Sequence, residues 1–122
     1  MIDAGKIGEI LQVYTKHGWT LRRVLLSGAL KNGLAVPLSS LFHEAPVLES
    51  DIDAAWFSRP PRVGGVAWEL RHLGDQPYAL LEKTDEHDAE FEDRLRAVES
   101  RLRDAVAVQK IALDISRREP QT

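Results

Sequence analysis

Val66-Ala-Trp-Glu-Leu-Arg-His72 runs through Leu73-Gly-Asp-Gln-Pro77 into Tyr78-Ala-Leu-Leu-Glu-Lys83, and this stretch decides the fold class. Val66, Trp68 and Leu70 alternate with Ala67, Glu69 and Arg71. Tyr78 and Leu80 alternate with Ala79, Leu81 and Lys83. Period-two alternation on both sides of a Gly-, Asp- and Pro-containing turn is the pattern of an antiparallel hairpin.

Beyond the hairpin, residues 86–117 read as one long helix. Asp85 is a candidate cap, and acids fill the first turns, where the helix dipole favours them. At 100° per residue, Phe91, Leu95, Val98, Leu102, Val106 and Leu113 form a continuous stripe that should pack on the sheet. Glu90–Arg94, Glu92–Arg96, Glu99–Arg103 and Asp114–Arg118 are spaced as acid-first i, i+4 pairs. Val108, Ile111 and Ile115 fall on the opposite side, which in the first half of the helix carries Glu90, Asp93, Ala97 and Asp104. A second apolar face therefore begins near residue 105. Either residues 28–49 cover it or a second copy of the chain does. A third reading takes Ala105 to Ile111 as a strand, because short apolar runs are ambiguous.

Before the hairpin, Ile7, Ile10, Leu11 and Tyr14 recur at helical spacing over residues 3–17, with Asp3 as cap and Gly18 as the stop. Gly5 and Gly8 each cost that helix about 1 kcal/mol relative to Ala. Residues 19–27 read as a strand. Between 28 and 49, Lys31-Asn32-Gly33 is a turn signal, Leu34 to Val36 a short strand, and Ser39 to His43 a single helical turn. Ser50 to Ser58 reads as a short helix, with Ser50 as cap, Asp53 three residues on, and Ile52 and Trp56 on its apolar side. Arg59 to Gly65 is a loop, stiffened by Pro60-Pro61 and freed by Gly64-Gly65.

These elements predict an α+β, two-layer domain spanning 1–122. It has an antiparallel sheet of three or more strands, an N-terminal helix, a short middle helix and a long C-terminal helix, with helices on one face. The order of elements is similar to that of small acidic dimeric secretion chaperones, which set strands between an N-terminal and a C-terminal helix. That likeness concerns element order alone and carries no function.

The 122 residues are 43% hydrophobic and 29% charged, enough for one core without staples. Cysteine is absent, which excludes disulfides, thiolate metal sites and a Cys nucleophile. The formal charge is −3. Residues 1–84 hold nine acids and nine bases, so the whole excess lies in the long helix and its tail. A balance this mild argues against nonspecific nucleic-acid binding. No charged segment leads into a long apolar run, and Val24 to Leu30 is far shorter than the roughly 20 residues of a spanning helix. The expectation is a soluble cytoplasmic protein with no membrane or nucleic-acid partner.

No phosphate-cradling loop, nucleophile elbow or His-Glu-x-x-His motif occurs. His87 and Glu90 share a helix face but lack the further ligands a metal needs. Asp51 and Asp53 fit capping, and Glu69 and Glu82 do not complete a nuclease-type acid-x-Lys pattern. No catalytic residue, metal or cofactor is expected. Arg59 and Arg62, with Arg22 and Arg71, are candidates for an anion-binding edge. Trp56 and Phe57 are consecutive, so on a helix one of them is left for a ligand or partner, and Trp56 joins the ligand candidates. The leading expectation is a non-enzymatic, homodimeric interaction domain with Val108, Ile111 and Ile115 at its interface. The alternative is a small anionic-ligand-binding or hydrolytic domain built on the Arg59–Arg62 loop and the hairpin.

Overall fold

The structure, a computed structural model, describes residues 2–60, 66–74, 78–84 and 87–118, and side chains only as far as Val108 in the last helix. Helix α1 (Ala4–Lys16) starts at Asp3, whose carboxylate accepts from the Lys6 N–H at 2.8 Å. Gly18 follows its end at φ +86°, the left-handed turn that glycine makes without a Cβ penalty. Strand β1 (Thr20–Leu26) leads to the short helices α2 (Gly28–Gly33) and α3 (Leu38–Phe42), then to β2 (Val47–Glu49). Three strands follow, β3 (Ala54–Arg59), β4 (Val66–His72) and β5 (Ala79–Thr84), and α4 (Phe91–Arg118) is the last described element.

The sheet order is β2-β1-β3-β4-β5. The β4–β5 hairpin has the expected alternation, with Trp68 opposite Glu82 and Leu70 opposite Leu80. The α+β class stands, but the sheet is mixed, because β2 runs parallel to β1. Residues 34–36 form no strand. The third segment after β1 is β2 instead, started by Pro46, whose carbonyl accepts from the Val24 N–H at 2.9 Å.

Ser50–Ser58 is not a helix, and this is the main correction. Residues 54–59 are β3, the middle strand, paired with β1 and β4. Ala54 to Ser58 are all buried, so no period-two alternation marks the strand in the sequence. The residues that resemble caps do other work. Asp53 accepts from the Ser27 N–H (2.7 Å) and hydroxyl (3.2 Å), and the Ser27 Oγ in turn accepts from the Leu30 N–H at the start of α2. Asp51 binds Arg103 on α4 through both guanidinium Nε and Nη2, at 2.7 and 2.8 Å.

Helices cover both faces of the sheet, not one. On one side Ala55 and Phe57 of β3 join Ile7, Ile10, Leu30 and Phe42. Tyr14 stacks on Phe57 there, with ring centroids 4.0 Å apart. On the other side Ala54 and Trp56 join Trp68, Leu70 and the α4 stripe. Phe91, Leu95, Val98 and Leu102 of that stripe are buried as its spacing requires, and Leu113 lies outside the described side chains. A register shift between Leu21 and Arg23 inserts Arg22 as a bulge. Arg22 and Arg23 then both serve the α4 side: Arg22 lies over the Trp68 ring (5.0 Å), and Arg23 grips Glu92 with two 3.1 Å hydrogen bonds.

Only Glu90–Arg94 of the expected i, i+4 pairs closes among the described side chains, at 3.8 Å. Glu92 and Arg103 turn instead to β1 and to the segment before β3. Glu99 accepts the Trp56 indole N–H at 2.8 Å. The hydrogen bonds from Arg103 and Arg23 hold the Asp51 and Glu92 carboxyls below the usual carboxylate range.

Two predictions follow from this packing. Trp56→Ala and Phe57→Ala should each lower the unfolding free energy in urea by about 3–5 kcal/mol, because each leaves a cavity in a different core. A helix over 50–58 would make one of the two nearly neutral. The lowered carboxyl pKa values mean that the native state binds these protons more weakly than the unfolded chain. Their stabilisation is therefore present above the unfolded carboxylate pKa, near ~4, and is lost as pH falls through the lowered native values. Melting temperature should drop between pH 6 and pH 3, and it should drop less in Arg23→Gln/Arg103→Gln.

Candidate functional site

The arginine edge does not assemble among the described residues. Arg59 pairs with Ala67 in the register and Arg71 with Ala55, so they sit at opposite ends of β3–β4, about 13 Å apart along the strands. The Arg59 guanidinium lies 4.5 Å from the Trp19 ring centroid. Arg71 donates to the His72 carbonyl, close to Tyr14 and Glu69. Arg22 is on the other face, against Trp68, and its guanidinium donates to the Ser58 hydroxyl at 3.4 Å. Arg62 lies outside the described residues. Trp56 is 0% exposed, with its indole N–H used by Glu99, so a bound molecule has no access to it. The helix reading of 50–58 left one of Trp56 and Phe57 for a ligand, and the strand buries both.

The second face of α4 is clearer. At Val108, the described residue of that face, residues 28–49 provide no cover, and Leu30 and Phe42 belong to the core beneath α1, across the sheet from α4. Ala105 and Val106 are half-buried, Ala107 is exposed, and Val108 is 65% exposed, while the helix continues to Arg118. The strand reading of 105–111 is replaced by this helix. Ile111 and Ile115 lie outside the described side chains. Beneath α4, β5 is the outermost strand, and Leu81 on its far face is 54% exposed.

Sequence reasoning missed a cavity of about 490 Å³ between α1, α3 and the sheet. Leu11, Leu21, Leu41 and Phe57 give it an apolar wall. Gln12, Lys16, Ser40 and His43 supply its polar groups. Two residues of this wall break local rules. Gly8 interrupts α1, yet a Cβ built on it meets no atom within 4 Å, so packing does not demand a glycine. His43 has φ +56° and ψ −125°, a left-handed conformation that favours glycine and strains a residue with a side chain. Gly8 was visible in the sequence as a costly helix residue. Its neighbour across the cavity was not, because a helical turn over 39–43 does not show that His43, just after it, takes a positive φ.

A smaller cavity of about 220 Å³ lies on the other side of α1, lined by Lys6, Glu9, Ile10, Val13, Tyr14 and Arg71. The Tyr14 hydroxyl is pushed well above the usual phenol range, first by burial and then by its hydrogen bond to Glu69 and that carboxylate's charge. The Tyr14 ring is therefore a neutral packing and hydrogen-bonding group. Among the described residues no set of three or more His, Asp or Glu side chains gathers as a metal site. No described helix is long and apolar enough to cross a membrane. Comparison with family models, curated proteins and solved structures finds no match to this chain.

Gly8→Ala should raise the unfolding free energy by about 1 kcal/mol, the helix-propensity difference, since the added methyl meets open space. Urea denaturation checks it, and a destabilised variant would mean that the α1 backbone needs the glycine.

Proposed function

We propose that the chain is a non-enzymatic, cytoplasmic protein-interaction domain that works as a homodimer, joined along β5 and the exposed side of α4. The observation that carries this reading is that, among the described residues, nothing covers Val108 on the far side of α4. The segment that was the alternative cover packs on the opposite face of the sheet. Val108 on α4 and Leu81 on the opposite face of the edge strand β5 are both large exposed apolar groups, and the proposed pairing of β5 edges buries Leu81 against its copy.

A two-fold axis through Leu81 satisfies the edge of β5. Antiparallel pairing of two β5 strands in that register sets Leu81 against its copy, Leu80 opposite Glu82 and Ala79 opposite Lys83. No like charges then face each other. Moving the axis to Glu82 would oppose two carboxylates. The sheet face is preserved across such an axis, so both α4 helices stand on the same side of a ten-stranded sheet, each leaning mainly on its own β5. The arginine-loop alternative has less support, because Arg59 is engaged with Trp19 and Arg71 is remote from it.

Sedimentation velocity tests the proposal. The wild-type chain should sediment as a dimer at micromolar concentration. Leu81→Lys, which places cations along the paired edge, should shift it to monomer with an unchanged circular dichroism spectrum. A wild-type monomer at high micromolar concentration contradicts the reading.

A further inference from the structure

We propose that the cavity between α1, α3 and the sheet is a binding site for a small amphipathic carboxylate. This site is independent of the dimer reading, since it lies on the face of the sheet away from α4. Three observations converge on it. First, the wall is divided: Leu11, Leu21, Leu41 and Phe57 offer an apolar bed, and Lys16 and His43 stand at its exposed margin. Ligand sites are commonly apolar concavities with a few polar groups that fix orientation.

Second, the two residues that break local rules both line this one cavity. A helix interior prefers Ala to Gly, and a left-handed loop position prefers Gly to His. At Gly8 the helix accepts the worse residue where an added side chain would project into open space. At His43 the loop accepts a side chain where the backbone would be relaxed without one. The first choice preserves room in the cavity, and the second keeps an imidazole at its rim. Departures from local consistency concentrate where a site requires them.

Third, the charge of the rim selects the ligand. Among the described lining residues Lys16 is a cation, none is acidic, and the imidazole of His43 and the amide of Gln12 add donors. One ammonium with neutral donors suits a monoanion. Phosphate esters favour guanidinium forks or a nest of backbone N–H groups, and the described lining residues include no arginine. The apolar body of the ligand would lie along Leu11, Leu41 and Phe57, and Gly8 would leave space beside it.

Octanoate is a suitable probe, titrated into the full ¹⁵N-labelled chain and followed by amide shifts. Saturable shifts are expected at Gly8, Leu11, Leu41 and Phe57. Octanol, which lacks the charge, and acetate, which lacks the apolar body, should each bind about tenfold more weakly or worse. Lys16→Gln should weaken octanoate toward octanol. Gly8→Leu should fill the cavity and abolish the shifts while raising the melting temperature. His43→Gly should fold at least as well as wild type and bind more weakly, which keeps the test valid if Gly8→Leu fails to fold. No saturable shift at these amides, undiminished binding in Gly8→Leu or His43→Gly, or equal affinity for octanol would each overturn the proposal.

Discussion

Burial of β3 on both faces is the constraint on which the rest of the structure depends. Trp56 and Phe57 are adjacent, and a strand sends them to opposite sides. Each is the centre of a separate core: Trp56 with Trp68 and the α4 stripe, Phe57 with Tyr14 and the α1 residues. One strand thus requires an apolar helix above and another below. The arrangement explains why α1 and α4 share no core yet belong to one domain. It also explains why Ala54 and Ala55 are small, since each lies fully buried beneath larger side chains.

Polar contacts fix α4 in place without adding to its own helicity. Glu92 reaches Arg23 on β1, Arg103 reaches Asp51 before β3, and Glu99 takes the Trp56 indole N–H. The Asp51 and Glu92 contacts are largely exposed, so each adds little to stability on its own. Their effect is on register, because the bidentate geometry specifies where along the sheet the apolar stripe comes to rest. The bulge at Arg22 serves the same end by letting Arg22 and Arg23 both act on the α4 side.

The hairpin, α1 and α4 can be read from the chain because each buries one face, and one-sided burial leaves a period in the sequence, while β1, with Val24 and Leu26 in one core and Leu25 in the other, shows a period only in its first half. Strand β3 leaves none, since Ala54-Ala-Trp-Phe-Ser is buried throughout, and Ser50 with Asp53 imitates a helix start. The side-chain targets of Asp51 and Asp53, Arg103 and Ser27, are 52 and 26 residues away in sequence, and no local pattern indicates them. The Glu92–Arg96 and Glu99–Arg103 pairs did not close for the same reason: Glu92 and Arg103 had better partners across the fold. The exposed second face of α4 was readable in the sequence, and the structure describes it at Val108. The cavity was half readable, through the cost of Gly8, and its other half depended on the turn that strains His43.

Amide hydrogen exchange tests most directly whether the doubly buried strand organises the molecule. If it does, the Ala54–Ser58 amides exchange slowest of all, with protection equal to the global unfolding free energy measured in urea. Trp56→Ala and Phe57→Ala would then lower protection in both cores together. If α4 and Trp68 instead keep full protection while the Ala54–Ser58 amides exchange by local opening, the two cores are independent and the account is wrong.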